Sequence, residues 1–262
     1  MLRDLEYCNH IKLPTGLVLG GYSVSGKHTG FYIPELLIGL DAGVSTQSVN
    51  IKLQHILITH QHPDHVCRLT ESTNWYSNKT HIFAPNINPI KHIYEAIYHV
   101  CFNDKISFEQ MQKTGKVNVL INEVYVGSTI SFLSNDKKIK LEIFPCYHGN
   151  DVPCVGYGIT TFNENIGTPH LIYFGDTDIR ALTLTDEWKK YKCVIIECSK
   201  FVNQKSENHI SWQEIYPIIL ANKSILFILI HISEKEKMEQ ISEIITNFKS
   251  TNKIDNVMIW NN

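Results

Sequence analysis

Three imidazoles and a carboxylate fall within six positions, His60-Gln61-His62-Pro63-Asp64-His65, directly after the apolar run Ile56-Leu57-Ile58-Thr59. Imidazole nitrogen suits zinc, and a carboxylate oxygen can complete a neighbouring site. Residues two apart in an extended segment face the same way, so His60 and His62 can share one metal. Asp64 and His65 follow the turn imposed by Pro63 and can reach a second ion at the roughly 3.5 to 4 Å spacing of two-metal hydrolases. A lone histidine is more often an ordinary core or surface residue. The pattern His-x-His-x-Asp-His behind a strand reads as metal-binding.

Four ligands cannot saturate two ions, so further donors must come from elsewhere in the chain. His148 follows the apolar run 139–146, Asp176 sits in Gly175-Asp176-Thr177 after Leu171-Ile172-Tyr173-Phe174, and His231 follows the run 225–230. Each stands at the C-terminal end of an apolar run, where strand ends gather side chains into one cleft. Asp176 has an oxygen for each of two ions. The candidate ligand set is therefore His60, His62, Asp64, His65, His148, Asp176 and His231. His92 and His99, on a helical stretch, read as ordinary histidines.

The elements that must position these residues are short strands and amphipathic helices. Leu17-Val18-Leu19 reads as a strand ending at Gly20-Gly21, and residues 35–40 as a strand ending at Asp41-Ala42-Gly43, in the same sheet as 56–59. Asp41 reads first as closing that turn; orienting a ligating histidine is the alternative. Residues 80–84 form a strand halted by Pro85, and 90–102 carry apolar residues at helical spacing. Strands are expected at 124–126, 130–133 and 139–144, with 134–138 as a hairpin tip. Beyond 190 the pattern alternates strand and helix: 194–196, helix 212–221, 225–230, helix 235–248, 257–259. Ser211-x-x-Glu214 and Ser233-x-x-Glu236 read as capping boxes that start the two helices. Strand-rich halves that each carry helices give an α/β chain folded as an αββα sandwich, with the metals in a groove at one edge.

The chain has 262 residues, 43% of them hydrophobic, and a net charge of -2. That length supports one sizeable core, and the expectation is a single domain over 1–262. The charge provides no global basic field, so nucleic-acid binding would need a local patch. Seven cysteines with no C-x-x-C pair read as reduced thiols. No apolar signal region opens the chain and no run reaches the length of a membrane span, so a cytoplasmic or nuclear protein without membrane contact is expected.

His60-x-His62-x-Asp64-His65, then His148, Gly175-Asp176-Thr177 and His231, resembles the metallo-β-lactamase superfamily over nearly the whole chain. Within it the chain is similar to ribonuclease Z of the short form, the endonuclease that trims precursor tRNA at its 3′ end. The residues carrying this are His148 with Gly156-Tyr157 downstream, Val194-Ile195-Ile196-Glu197-Cys198-Ser199, Asn208-His209-Ile210-Ser211 and Leu229-Ile230-His231-Ile232-Ser233. The resemblance implies two Zn²⁺ per chain bridged by Asp176, which would supply an activated water near neutral pH. Asp64 would orient that water or take its proton. His209 would give a proton to the leaving oxygen, with Glu197 orienting its ring and holding it protonated.

The sequence departs from that family in two places. Val66-Cys67-Arg68 stand where glycines are expected, so Cys67 is expected to crowd the approach, while Arg68 either clamps a phosphate or faces away. Only 28 positions separate His148 from Asp176, room for two strands and the tip 163–167, but not for the long arm with which that family grips the tRNA elbow. The expectation is a zinc-dependent phosphodiesterase of ribonuclease Z type acting on precursor tRNA. Rim cations such as Arg68, Lys200 and Lys205 would then have to hold the RNA, and a homodimer could add surface. The alternatives are a hydrolase of small phosphodiesters on the same fold and a non-catalytic binding subunit.

Overall fold

A computed structural model describes residues 9–46, 51–73, 79–149, 152–202 and 208–260. Lys205, Asn150 and Asp151 lie outside the described residues. Among the described residues the strands form two seven-stranded sheets. The first runs β1 (Asn9–Lys12), β2 (Val18–Val24), β3 (His28–Ile33), β4 (Ile38–Leu40), β5 (His55–Leu57), β6 (Thr80–Ala84) and β7 (Val119–Glu123). It is antiparallel as far as β4 and parallel from β4 to β7. The second holds β8 (Thr129–Ser134), β9 (Lys137–Pro145), β10 (Val155–Asn163), β11 (Ile166–Tyr173), β12 (Cys193–Glu197), β13 (Leu226–Ile230) and β14 (Val257–Ile259). Its β8 to β11 are antiparallel, and β11 to β14 are parallel.

The sheets face each other across a core that includes Phe31, Leu40, Leu57, Ile143, Tyr157, Ile195 and Ile228. The short helices α1 (Pro63–Val66) and α2 (Leu69–Ser72) follow β5, and α5 (Arg180–Thr183) follows β11. On the outer face of the first sheet, Ile56, Ile58 and Ile82 pack with Ile90 and Tyr94 of α3 (Ile87–Phe102) and Phe108 of α4 (Phe108–Lys113). On the outer face of the second, Ile172, Val194 and Leu229 pack with Ile215 and Ile219 of α6 (Trp212–Ala221) and Ile241 of α7 (Met238–Asn252). Strands covered on both faces must be apolar throughout, which is why Ile56-Leu57-Ile58 shows no alternation. The architecture is the expected αββα sandwich.

Four local expectations are corrected. Gly20 and Gly21 do not end a strand: β2 runs through them, because a Cβ on Gly20 would stand 2.5 Å from the Tyr32 ring and one on Gly21 2.5 Å from the Gly30 carbonyl. Residues 35–40 are not one strand: Pro34, with its fixed φ, opens a single 3₁₀ turn over Pro34–Leu36, and only Ile38–Leu40 pair in the sheet. The strand expected at 124–126 lies earlier, at Val119–Glu123, and Tyr125 and Val126 are exposed in the turn that follows. Ser233-x-x-Glu236 does not start α7, which begins at Met238; the Glu236 carboxylate instead accepts from the Phe201 N–H at 3.3 Å. The Ser211 reading holds, since the Glu214 carboxylate accepts from both the Ser211 N–H, at 3.0 Å, and its hydroxyl.

The 134–138 tip is a tight hairpin in which Asn135 and Asp136 take φ of 47° and 60°, the two-residue turn whose twist suits antiparallel strands. Between β10 and β11 the turn is Glu164-Asn165, flanked by the pair Asn163 and Ile166. No helix among the described residues is long and apolar enough to cross a membrane.

At the start of β5, His55 lies stacked on Phe132, with ring centroids 4.0 Å apart, and its Nδ1 is 2.9 Å from Ser134 Oγ. Burial, helped by His81 nearby, pushes its pKa down to about 4. The unfolded chain therefore binds this proton more readily, so the contribution of His55 to stability is lost as pH falls from about 6.5 to 4. In urea melts of the metal-free protein at pH 7 and pH 5, His55→Phe should show a smaller drop in midpoint than the wild-type chain. Equal drops would contradict this assignment.

Candidate metal centre

The motif strand ends at the core, and the next residues turn toward the cleft. Ile58 N–H donates to Phe83 O, so Thr59 and His60 leave the sheet at a fixed angle. Pro63 takes the first position of the short helix α1 (Pro63–Val66), where its missing N–H costs nothing. His62 remains extended before it, and Asp64 and His65 ride on its first turn. Gly43 passes so close that a Cβ there would stand 1.8 Å from the Asp64 carbonyl and 2.6 Å from that of Thr29. Only glycine lets these three segments meet.

All seven candidate ligands arrive in one place. Donor atoms of His60, His62 and His148 lie within 4.8 Å of one another, as do those of Asp64, His65 and His231, and those of His60, His65 and Asp176. Asp176 stands between the first two groups: its oxygens lie 3.3 Å from His65 Nε2, 3.1 Å from His231 Nε2 and 3.9 Å from His148 Nε2. His148 Nε2 is 3.1 Å from His62 Nδ1.

The outer ring nitrogens of His60, His65, His148 and His231 are occupied. His65 Nδ1 faces Asp41 Oδ2 at 2.8 Å, His60 Nδ1 faces Thr59 Oγ1 at 3.0 Å, His148 Nδ1 faces Asn208 O at 3.2 Å, and His231 Nδ1 faces Thr29 Oγ1 at 3.3 Å. A ring whose Nδ1–H is given to such an acceptor presents Nε2 as a lone pair, the form a metal takes. His60 Nε2, His65 Nε2 and Asp176 Oδ1 are buried and have no hydrogen-bond partner among the described residues. Orphaned buried polar atoms are expensive, and here a lone pair and a carboxylate oxygen face each other 3.3 Å apart. Positive charge must sit among them, as protons or as metal ions.

Electrostatics points the same way. Burial pushes the pKa of His60 well below its ordinary value, lowers that of His148 and takes His231 to about 4, so these rings are held neutral. Burial also opposes the charged form of Asp176, yet His231 and His65 hold its carboxyl well below the usual range. For His65 burial opposes protonation, but Asp176 and Asp41 outweigh it and hold the ring well above its ordinary value. Three neutral imidazoles, with His65 holding its proton only through Asp176 and Asp41, surround buried carboxylates; a divalent ion of the zinc type can take the place of that proton, and the residues fit such ions.

Beside this cluster, Glu197 is fully buried at the end of β12 and accepts from the Thr177 N–H at 2.7 Å. Its carboxylate oxygens lie 2.8 and 2.9 Å from His209 Nδ1. The His209 ring packs against those of His148 and His231, with centroids 5.0 and 6.0 Å away. Burial pushes the Glu197 carboxyl up to about 8, and burial of His209 is outweighed by its bond to Glu197, which raises the ring. The pair keeps a proton at the cluster near neutral pH.

Asp41 is a correction: it does more than close a turn. Buried at 3% exposure, it accepts from the Thr59 N–H at 2.7 Å, the Thr59 hydroxyl at 2.9 and 3.0 Å, His65 Nδ1 and the Tyr173 hydroxyl at 2.6 Å. Thr59, Tyr173, Thr29 and Ser23 were not singled out by sequence reasoning, and a hydroxyl in a strand carries no signal of its own. Cys67 is exposed, with its sulfur 3.5 Å from His28 Nδ1 and 3.6 Å from Gly43 O. Arg68 pairs with Glu71 at 2.7 Å.

The fold and this cleft define a metallo-β-lactamase-type hydrolase fold. Residues 42–232 match the family model described as beta-lactamase superfamily domain, and the chain belongs to that family. Curated proteins yield no match. Among solved structures, unliganded yeast PDE1 is similar at 13% identity and a TM-score of 0.64, over 93% of this chain and 97% of that one. A new diphosphatase from the PhnP family is similar at 14% identity and a TM-score of 0.55, over 93% of this chain and 80% of that one. A long form RNase Z from yeast aligns with 84% of this chain and 35% of its own, at 16% identity and a TM-score of 0.49. At these identities the likeness to the first two shows the fold alone.

Asp41→Asn keeps the shape but puts an amide N–H₂ among groups that all donate. The loss should be about 3 kcal/mol of stability, the scale for breaking a buried charged partnership. Urea denaturation of the metal-free chain measures it, and a change below about 1 kcal/mol would contradict the bridging role.

Proposed function

We propose that the chain is a dinuclear zinc phosphodiesterase whose natural substrates are small phosphodiesters. The observation that carries this is the Glu197–His209 pair, a buried carboxylate holding a protonated ring against the two donor groups. In this reading His60, His62 and His148 would hold one ion and Asp64, His65 and His231 the other, with Asp176 lying between the two groups. When bound, the ions supply an activated water and positive charge opposite the phosphate oxygens. The chain's own residues do the rest. Asp64 takes up the proton of the attacking water, and His209 gives a proton to the departing oxygen. Glu197 fixes the ring through Nδ1, so that Nε2 is the nitrogen that donates. A non-catalytic subunit would have no use for such an arrangement.

A small diester is favoured over RNA because β10 and β11 join through a two-residue turn, and the chain carries a net charge of -2. Affinity for RNA comes mainly from phosphate contacts by Lys and Arg, and Arg68 is already paired with Glu71. The second reading, 3′ trimming of precursor tRNA in the manner of ribonuclease Z, rests on the same His209–Glu197 geometry together with the sequence resemblance at 194–199 and 208–211. It requires RNA binding that is weak and steeply salt-dependent.

His209→Ala should cut turnover of an unactivated diester roughly 10² to 10⁴-fold, the usual worth of general acid catalysis, and barely slow a p-nitrophenyl diester, whose leaving group needs no proton. Equal losses on both would refute the assignment. The same preparation titrated with precursor tRNA at low and physiological salt separates the two substrates. Uncut tRNA at low salt beside rapid turnover of small diesters supports the small-molecule reading, and cleavage at the base of the acceptor stem replaces it with the second.

A further inference from the structure

The hairpin formed by β2 and β3 lies against both α1 and the cluster, and three of its contacts end on candidate ligands. The Gly26 N–H at its tip donates to Asp64 Oδ2 at 3.1 Å. Ser23 Oγ accepts the His231 N–H at 3.0 Å, and Thr29 Oγ1 lies 3.3 Å from His231 Nδ1. The two hydroxyls are 3.1 Å apart, and both side chains are buried, at 1% and 0% exposure. Around the edge, the Ser25 N–H donates to Ile232 O, and Lys27 pairs with Glu234.

His231 needs such anchoring. Its φ is +58°, a left-handed conformation that a side chain bearing Cβ disfavours and that persists only where surroundings hold it. The hairpin provides two holds on one residue. Ser23 fixes the backbone, while Thr29 accepts from Nδ1–H and leaves Nε2 as the lone pair pointing at Asp176, 3.1 Å away. The Thr29 hydroxyl hydrogen can then pass to Ser23 Oγ, which closes a ring of hydrogen bonds around His231. Thr29 is also tied to the motif side: its carbonyl accepts from the Gly43 N–H at 2.9 Å.

We infer that Thr29 and Ser23 are positioning residues for the metal group of Asp64, His65 and His231, and that the β2–β3 hairpin is the clasp which sets the affinity of that group independently of the His60, His62 and His148 group. The inference rests on the proposed reading that these residues hold two ions. The hydroxyls do not touch substrate; they act through the orientation and tautomer of His231. Partners of this kind on a ligating histidine typically change metal affinity by roughly 10 to 100-fold.

The test is a titration of the full chain with zinc in competition with a chromophoric chelator, comparing wild type, Thr29→Val, Thr29→Ser and Ser23→Ala. Thr29→Val keeps the shape and removes the acceptor, and should weaken one of two zinc sites by roughly 10 to 100-fold while leaving the other unchanged. Thr29→Ser, which restores the oxygen, should bind like wild type. Ser23→Ala releases the His231 N–H without altering β3, and should weaken the same site even if Thr29→Val fails to fold. Two sites of wild-type affinity in the folded variants would overturn the inference alone. A loss in Thr29→Ser as large as in Thr29→Val would also overturn it, by returning Thr29 to a packing role. A wild-type chain that binds no zinc would overturn the reading of the site and this inference with it.

Discussion

One carboxylate ties the two sheets and the metal-binding loop together. Asp41 leaves β4 in the first sheet and accepts hydrogen bonds from Thr59 and His65, on the motif loop, and from the hydroxyl of Tyr173, in β11 of the second sheet. An unpaired carboxylate at that depth would be costly, so its donors must all be in place when the chain is folded. The same requirement fixes the angle at which Thr59 and His60 leave β5 and the tautomer of His65. The sandwich cannot close correctly with the motif misplaced, because closing it and orienting the motif use the same hydrogen bonds.

From that anchor the donor set follows by topology. β9, β11, β12 and β13 deliver His148, Asp176, Glu197 and His231 at their C-terminal ends, opposite the motif that follows β5. Parallel neighbours put the ends of β11, β12 and β13 side by side. Desolvation keeps His60, His148 and His231 neutral, while each outward nitrogen is held by an oxygen from the next layer out. The inward nitrogens and Asp176 are thereby left as a compact set of lone pairs, which is the physical requirement for binding divalent ions.

Much of this was legible in the sequence, because apolar runs that end in His or Asp place the ligand and the strand together. The helix at Trp212–Ala221 and the strand at Val257–Ile259 could be read to the residue from a capping box and an apolar run. What could not be read depended on partners far along the chain. Asp41-Ala42-Gly43 has the chemistry of a turn whether or not its carboxylate is buried; only Tyr173, 132 residues away, distinguishes the cases. The available signal was an acidic residue and a glycine ending a strand beside the motif strand. Gly20-Gly21 looked like a stop because glycine marks turns, whereas here it makes room for the Tyr32 ring and the Gly30 carbonyl. Ser233-x-x-Glu236 had the capping pattern, but its Glu236 is used by Phe201. Ser23 and Thr29 gain their role only when β13 brings His231 against them.

On the proposed reading, these seven side chains hold two metal ions side by side. Anomalous diffraction at the zinc edge, from crystals grown with zinc, addresses it directly. Two peaks are expected, one within bonding distance of His60, His62 and His148, the other of Asp64, His65 and His231, with Asp176 between them. No peak in the cleft, or a single one, would contradict that reading.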